Sequence, residues 1–181
     1  MIRKVLAALG IGALLSACAS TPPTIPPVAS VDMPRFMGDW YVIAQIPTYI
    51  ERKAFDSVES YRLDADGKIR TTFRYRNGSA DAPLKTMEPV GRVVPGTNNA
   101  VWEMQFLWPI QAEYVIVDLA PDYSRTIVGR SKRDYVWLMA RQPSLPAPEL
   151  AAAIEKIRAL GYDTAKLRMV PQSAATATTK P

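Results

Sequence analysis

The sequence predicts an all-β protein, an eight-stranded antiparallel up-and-down β-barrel with one C-terminal α-helix packed on its outer wall. Two observations support this fold class. Eight short segments rich in β-branched and aromatic residues follow one another between residues 40 and 141, with turn residues between them. Beyond residue 144, apolar residues recur at helical spacing. Eight antiparallel strands can close into a barrel with room for one small ligand. A two-sheet sandwich would fit the same spacing.

The first 17 residues have the pattern of a secretory signal rather than of a folded element. Arg3 and Lys4 precede a short apolar run, which does not reach the ~20 residues that a membrane-spanning helix needs. The motif Leu15-Ser16-Ala17-Cys18 follows and resembles the bacterial lipobox, in which the cysteine is acylated. Cys18 is the chain's only cysteine. We therefore expect residues 1–17 to be a lipoprotein signal peptide and Cys18 to be a membrane anchor.

The residues after Cys18 predict both a cellular location and an extended tether. By resemblance to bacterial lipoproteins, Ala19 in place of an aspartate implies the outer membrane, with the protein facing the periplasm. Residues 18–34 carry five prolines and no periodicity, which is typical of an extended tether with polyproline character. We expect the folded unit to cover residues 35–171 and a disordered tail to cover residues 172–181.

Turn residues separate the predicted strands. Asp66-Gly67 is a strong hairpin turn between the second and third strands, and Gly96 to Asn99 and Pro121-Asp122 are further turn candidates. The predicted strands are residues 40–46, 58–63, 69–76, 86–94, 100–107, 114–119, 125–130 and 135–141.

Alternation along these strands predicts which side chains face the interior. Polar neighbours take the opposite face on two of the strands, so the aromatic and methionine positions are assigned inward. A one-residue error in register would reverse every assignment. A solidly packed core is the alternative to a cavity. The candidate ligand-binding residues are Phe73, Tyr75, Trp102, Met104, Phe106, Tyr114, Trp137 and Met139.

The C-terminal segment predicts one amphipathic helix. Leu150, Ile154 and Ile157 recur at helical spacing, and charged residues occupy the other faces. Gly161 is a natural residue to end the helix. We expect this helix to lie on the outer barrel wall, followed by a short strand within residues 167–170.

Composition argues against several functional classes. The formal net charge is +5, and the signal peptide contains Arg3 and Lys4. The densest basic cluster, Arg70, Arg74 and Arg76, lies on one strand face and indicates a solvated outer surface; weak attraction to anionic lipid headgroups is the remaining functional option. The chain has no histidine, the commonest general base and metal ligand. We therefore expect no enzymatic activity, no metal, no cofactor and no nucleic-acid partner.

Three separated stretches, in the right order, resemble the lipocalin family and its bacterial outer-membrane members over about residues 32–171. They are Gly38 to Ala44 with Glu51-Arg52 following in the first loop, Asp118 to Tyr123, and Arg133 to Arg141. The second departs from the family's Thr-Asp-Tyr turn, because Pro121 replaces the threonine. The resemblance implies that the tryptophan closes one end of the barrel and that the arginine lies across its indole. The structural signature residues are Gly38, Trp40, Asp122, Tyr123 and Arg141.

The resemblance also implies a function. A bacterial lipocalin would bind a fatty acid or a lysophospholipid, with its acyl chain in the apolar cup. Tyr114 or an arginine near the rim would receive the ligand's carboxylate or phosphate. An envelope lipoprotein with a packed barrel and no ligand is the alternative, and an enzyme acting on lipid through a Ser-Lys or paired-carboxylate scheme is a third. The sequence leaves a homodimer open.

Overall fold

The computed structural model describes residues 25–107 and 109–173. The predicted signal peptide, Cys18 and residues 174–181 lie outside the described residues. Among the described residues, no helix is long and apolar enough to cross a bilayer.

The strands form one closed antiparallel barrel. β1 pairs with β2 on one side and with β9 on the other, so the barrel closes and the sandwich alternative is wrong. β4 and β5 both pair with β3 and together form one barrel strand, interrupted at Glu88-Pro89. The predicted eight-stranded barrel is confirmed. The strands are β1 (Gly38–Ile46), β2 (Ala54–Leu63), β3 (Lys68–Asn77), β4 (Leu84–Met87), β5 (Val90–Val93), β6 (Val101–Leu107), β7 (Ile110–Leu119), β8 (Arg125–Gly129) and β9 (Val136–Ala140).

Two layers of apolar packing lie on either side of the barrel wall. The inner layer fills the lower barrel and includes Trp40, Tyr61, Trp102 and Met139. The outer layer includes Ile127 and Leu138, which point away from the barrel axis and are nonetheless fully buried. Because successive strand residues point to opposite faces, a strand buried on both faces has something packed against its outside.

Helix α2 (Ala147–Ala159) covers that outside face. Its buried residues, Ala153 and Ile157, belong to the outer layer with Leu138. Gly161, at φ +89°, takes the left-handed conformation that ends the helix. The Tyr162 hydroxyl accepts a hydrogen bond from the Arg130 amide at 2.8 Å and ties this end to β8. The predicted C-terminal helix on the outer wall is confirmed.

The N-terminal segment differs from the predicted tether. Residues 25–34 lie on the barrel: the Val28 amide donates to the Ile116 carbonyl at 2.9 Å, and Ile25 is fully buried. The side chains of Asn98 and Asn99 donate to the carbonyls of Ala29 and Val31. A proline-rich composition indicates that a segment is not helical. It does not indicate whether the apolar residues of the segment pack against the rest of the protein. An extended tether is therefore wrong for residues 25–34.

The C-terminal segment is also attached further than predicted. β10 (Arg168–Met169) pairs with β1, as the expected short strand. Gln172, placed in the disordered tail by sequence, is buried and donates from Nε2 to the carbonyls of Val42 and Ser57. Ser173 donates to the carboxylate of Asp56. Residues 172 and 173 are therefore attached to the barrel, because they bond backbone and carboxylate groups of β1 and β2.

The basic cluster on β3 lies on the outer face, as expected. Arg70 pairs with Asp64 at 2.7 Å, Arg74 with Asp39 at 3.3 Å, and Arg76 with Asp56 at 3.4 Å.

Candidate functional site

One end of the barrel is sealed by a short helix and a stacked arginine. Helix α1 (Met33–Phe36) crosses this end, and the Trp40 indole N–H donates to the Phe36 carbonyl at 2.8 Å. The guanidinium carbon of Arg141 lies 3.8 Å from the centroid of the Trp40 ring. The same guanidinium donates to the carbonyls of Arg35, Phe36, Met37 and Asp39 at 2.7–3.0 Å. This is the arrangement that the resemblance implied for the closed end.

The turn after β7 holds the same seal from the other side. Tyr123 has φ +63°, and its hydroxyl accepts from the Asp32 amide at 2.8 Å. The Arg35 guanidinium lies over the Tyr123 ring, 4.0 Å from its centroid. The Asp122 carboxylate accepts from the amide and hydroxyl of Ser124 and so shapes the turn. Gly38, at φ +93°, has a backbone conformation that favours glycine, and it lies beside the Arg141 guanidinium. All five signature residues therefore lie at the sealed end.

Aromatic rings continue from this floor toward the middle of the barrel. Phe36 lies 5.0 Å from Trp40 and 5.3 Å from Trp102, between ring centroids. Trp102 stacks on Tyr114 at 5.0 Å with nearly parallel planes. Tyr114 in turn faces Trp137 at 6.5 Å. The rings form a continuous apolar column that ends where the cavity begins.

Above the column lies a cavity of about 330 Å³, near the lower end of the ~300–1,000 Å³ range usual for small-molecule sites. Its walls come from β2, β3, β4, β6, β7 and β9 and from the loops after β1, β4 and β8. Five of the eight predicted ligand-binding residues line it: Phe73, Met104, Phe106, Tyr114 and Trp137.

The other three predicted residues lie elsewhere. Trp102 and Met139 point inward as predicted, but they are fully buried in the column beneath the cavity. Tyr75 stacks beside Phe73 at 4.9 Å in a small cluster with Ala54. Alternation gives the direction of a side chain but not its height along the barrel axis. The assignment of Trp102, Met139 and Tyr75 to the cavity wall is therefore wrong.

A buried carboxyl group closes part of the cavity from above. Glu51 ends the short 3-10 helix Tyr49–Glu51 in the first loop. One carboxyl oxygen accepts from the Trp137 indole N–H at 2.9 Å, and the other accepts from the amide and hydroxyl of Thr48 at 3.0 and 2.5 Å. Burial raises the pKa of this carboxyl despite these hydrogen bonds. Glu51 thus fixes the first loop to the cavity wall.

A second carboxyl group lies at the base of the cavity. Glu59 of β2 is only partly exposed, and it lines the cavity. Burial, with repulsion from Glu51, raises its pKa from 4.5 to about 8. One of its oxygens accepts from the Tyr61 hydroxyl, which lies 2.5 Å from the Tyr114 hydroxyl. The Tyr114 hydroxyl is therefore already engaged next to an acidic group, and its predicted role as receptor of a ligand anion is not supported.

The open end offers a cation and exposed apolar side chains. Arg130 lines the cavity and pairs with Asp134 at 3.1 Å, and its buried Nε has no hydrogen-bond partner in the part of the chain that the structure describes. Tyr49 is 79% exposed, and Ile50 and Phe106 are also exposed although they line the cavity. These residues mark the entrance. Arg130 is the rim arginine that the sequence left unnumbered.

Sequence reasoning did not place polar side chains on the cavity wall, among them Glu51, Glu59, Thr71 and Glu113. Tyr61 was available as a signal for Glu59, because residues two apart on a strand share a face. An inward Tyr61 thus places Glu59 inward. Glu51 belongs to the first stretch that resembles the family, but it comes from a loop, where alternation gives no direction for a side chain.

The arrangement suits non-covalent binding. Among the described residues, no group of three or more acidic or cysteine side chains could hold a metal ion. Apolar walls and a cation at the open end, Arg130, would together hold a molecule with an apolar body and an anionic end.

Comparisons with known proteins agree with this geometry. A family model described as a lipocalin-like domain matches residues 31–172. The outer membrane lipoprotein Blc of Vibrio cholerae serotype O1 is 28% identical over 162 residues, which cover 88% of this chain and 93% of that protein. Temperature-induced lipocalin-1 of Arabidopsis thaliana is 26% identical over 158 residues, covering 81% and 82%.

Solved structures show the same fold at lower identity. Insecticyanin from the tobacco hornworm Manduca sexta superposes with a TM-score of 0.65 at 18% identity and covers 83% of this chain and 86% of that one.

Proposed function

Because this chain belongs to the lipocalin family, we propose that its barrel binds and stores or transports an amphipathic lipid, a fatty acid or a lysophospholipid, in the cell envelope. The observation that carries this proposal is the cavity of about 330 Å³ above a sealed floor. Its apolar wall would shield an acyl chain from water, at ~25 cal/mol for each Å² of apolar surface buried. An open cavity favours this function over that of a packed structural barrel.

Arg130 gives the bound lipid an orientation. Among the described residues it is the cation on the cavity wall, and its Nε has no hydrogen-bond partner there. The base of the cavity holds Glu59, so an anionic headgroup placed there would meet an acidic group. The acyl chain therefore enters first and the carboxylate or phosphate stays at the rim, where a charged group also keeps its contact with water.

The proposed location follows from Cys18. Acylation at this position would anchor the protein, since two or more acyl chains hold where a single chain dissociates. The Vibrio cholerae relative is itself named an outer membrane lipoprotein. We place this chain in the same membrane, facing the periplasm. Cys18→Ala should release the protein from the membrane fraction, and retention of that variant would contradict the anchor.

The proposed role is that of a carrier rather than an enzyme. Binding and release of a lipid need no general base, and the chain contains no histidine to supply one. Glu51 and Glu59 are engaged with the first loop and with Tyr61, which gives each a structural partner.

Titration with a lysophospholipid, read by tryptophan fluorescence, tests the proposal. Trp137 lines the cavity and should report an entering acyl chain. Ala112→Phe would fill space in the cavity, while Gln111→Phe adds the same ring to the neighbouring exposed position. We expect a saturable change in the natural protein, affinity roughly tenfold weaker or worse in Ala112→Phe, and no change in Gln111→Phe. No saturable signal at micromolar ligand would overturn the proposal.

A further inference from the structure

The cavity wall contains a buried hydroxyl group that no described residue satisfies. The Thr71 side chain lies on β3, lines the cavity and is 3% exposed. Its Oγ1 has no hydrogen-bond partner within residues 25–107 and 109–173. Buried hydroxyl groups nearly always have a partner, because leaving one unpaired costs the free energy of its lost hydration. An unpaired threonine hydroxyl on a cavity wall therefore points to a group that arrives with the ligand.

The Glu59 carboxyl offers a second incomplete group beside it. One oxygen, Oε2, accepts from the Tyr61 hydroxyl, and no described residue donates to the other oxygen, Oε1. Glu59 also lines the cavity. The tyrosine pair beneath it is complete in itself, since the hydroxyls of Tyr61 and Tyr114 lie 2.5 Å apart. The free carboxyl oxygen is therefore available to a ligand rather than to the barrel.

Strand pairing brings these two groups together. Glu59 is opposite Phe73 in the β2–β3 ladder, and Tyr61 is opposite Thr71. Glu59 and Thr71 are thus diagonal neighbours on the inner face, at a separation of ~7–8 Å between such positions. One small polar group between the two side chains can reach both.

We propose that Glu59 and Thr71 together bind a hydroxyl group on the acyl chain of the ligand, so that the cavity selects hydroxylated lipids over plain ones. This inference rests on the proposed function and names the class of lipid. A hydroxyl group both donates and accepts, so it can form one hydrogen bond with the free Glu59 oxygen and one with the Thr71 hydroxyl at the same time. A plain chain would leave both groups unpaired, and sites built to bond a hydroxyl reject analogues without it.

The protonation of Glu59 separates this ligand from a cationic one. Its raised pKa of about 8 keeps the carboxyl mostly neutral at pH 7, so an ammonium group gains little attraction there. A hydroxyl group can bond a neutral carboxyl and a carboxylate alike. The site therefore fits a hydroxyl better than an amine.

Paired ligands that differ in one group test the inference. Isothermal titration calorimetry at pH 7 would compare dodecanoic acid, 12-hydroxydodecanoic acid and 12-aminododecanoic acid. The corresponding three acids with sixteen carbons are titrated in parallel, because the chain length sets how deep the terminal hydroxyl group reaches into the cavity. We expect the hydroxylated acid to bind about tenfold or more tightly than the plain acid and more tightly than the amine. Equal affinities of hydroxylated and plain acids at both lengths would overturn the inference, and so would tighter binding of the amine.

Variants locate the effect. Thr71→Val preserves the shape of the side chain and removes its hydroxyl, and Glu59→Leu removes the carboxyl. In each variant, the ratio of the affinity for the hydroxylated acid to that for the plain acid should fall toward one. Plain dodecanoic acid should still bind. Thr72→Val makes the same change at the next residue, on the opposite strand face, and should leave the preference intact.

Two results separate this inference from the function on which it rests. If the preference persists in both Thr71→Val and Glu59→Leu, the hydroxyl is bound elsewhere and the inference fails while the carrier function stands. If no acid binds to the natural protein at either length, the proposed function itself fails.

Discussion

The two halves of the barrel interior use the same kinds of side chain and differ in how far their polar groups are satisfied. At the floor, the Trp40 indole donates to Phe36 and the Arg141 guanidinium donates to four carbonyl groups. At the cavity base, Thr71 Oγ1 has no partner and Glu59 has one oxygen free. Polar groups that are fully hydrogen-bonded within the protein stabilise the fold, whereas unpaired polar groups on a cavity wall can bond a ligand. The floor should therefore govern stability, and the cavity should govern binding.

The strongest test of this division is Trp40→Ala. The ring is fully buried between Phe36 and Arg141, so its removal leaves a large void and strips the arginine of its stack. We expect the free energy of unfolding to fall by ~3–5 kcal/mol, measured by urea denaturation. Phe106→Ala, at an exposed aromatic on the rim, is the control and should cost less than ~1 kcal/mol. Equal losses would remove the distinction between the two ends.

Arg141→Ala should have the next largest effect. It removes the guanidinium from the Trp40 ring and leaves the carbonyls of Arg35, Phe36 and Met37 without this donor. We expect a loss of ~2–3 kcal/mol of stability, with the affinity of the folded fraction for lysophospholipid unchanged. Arg62→Ala, at a highly exposed arginine paired with Asp64, should change stability by less than ~0.5 kcal/mol. A weakened affinity with unchanged stability would contradict the structural role.

The Glu59 carboxyl should make stability depend on pH. Its pKa is raised from 4.5 to about 8 in the folded state, so between these values the folded protein holds a proton that the unfolded chain has lost. Stability should therefore fall as pH rises through this window, by at most ~1.4 kcal/mol per pH unit for this one group, and level off above it. Urea denaturation across the window would measure the slope.

Two variants assign that slope. Glu59→Gln has no proton to lose and should flatten it, although Glu51, whose pKa is also raised, contributes a share of its own. Glu155→Gln changes an exposed carboxyl on α2 and should leave the slope as it is. A slope in Glu59→Gln as steep as in the natural protein would contradict the raised pKa of Glu59.

The smallest expected effect is that of Arg130→Ala on binding. Arg130 is shared between the cavity and Asp134, so only part of its charge serves a ligand. We expect the affinity for a fatty acid to fall about fivefold, near 1 kcal/mol, in a fluorescence titration. Lys132→Ala removes an exposed cation from the same loop and should have no effect. If both variants weaken binding alike, the rim attracts the ligand through its general charge.

The sequence predicted the barrel better than it predicted the cavity, for a physical reason. Strand alternation has a period of two, so the inward faces of Phe73 and Met104 followed directly from the pattern. The height of a residue in the barrel depends on strand tilt and on the bulges in β1, β2 and β7, which leave no local signature. Trp102 and Met139 were therefore placed too high.

The polar residues were harder still. A glutamate between Val58 and Ser60 is typical of an outward position, and only its shared parity with Tyr61 contradicts that. The Trp40–Arg141 stack came from a family resemblance rather than from spacing. What the pattern could not supply was which polar groups would remain unpaired, because that depends on every neighbour at once.

The docking of residues 25–34 against the barrel has a mechanical consequence. With Cys18 acylated as proposed, only the residues between Cys18 and Ile25 separate the lipid anchor from the barrel wall. A fully extended chain spans at most ~3.3–3.6 Å per residue, so the segment between Cys18 and Ile25 can span about 25 Å at most. That is less than the thickness of a bilayer's hydrocarbon core, ~30 Å. The barrel would therefore stay within one molecular diameter of the membrane that anchors it. The lipids of that leaflet would be the ligands nearest to its cavity.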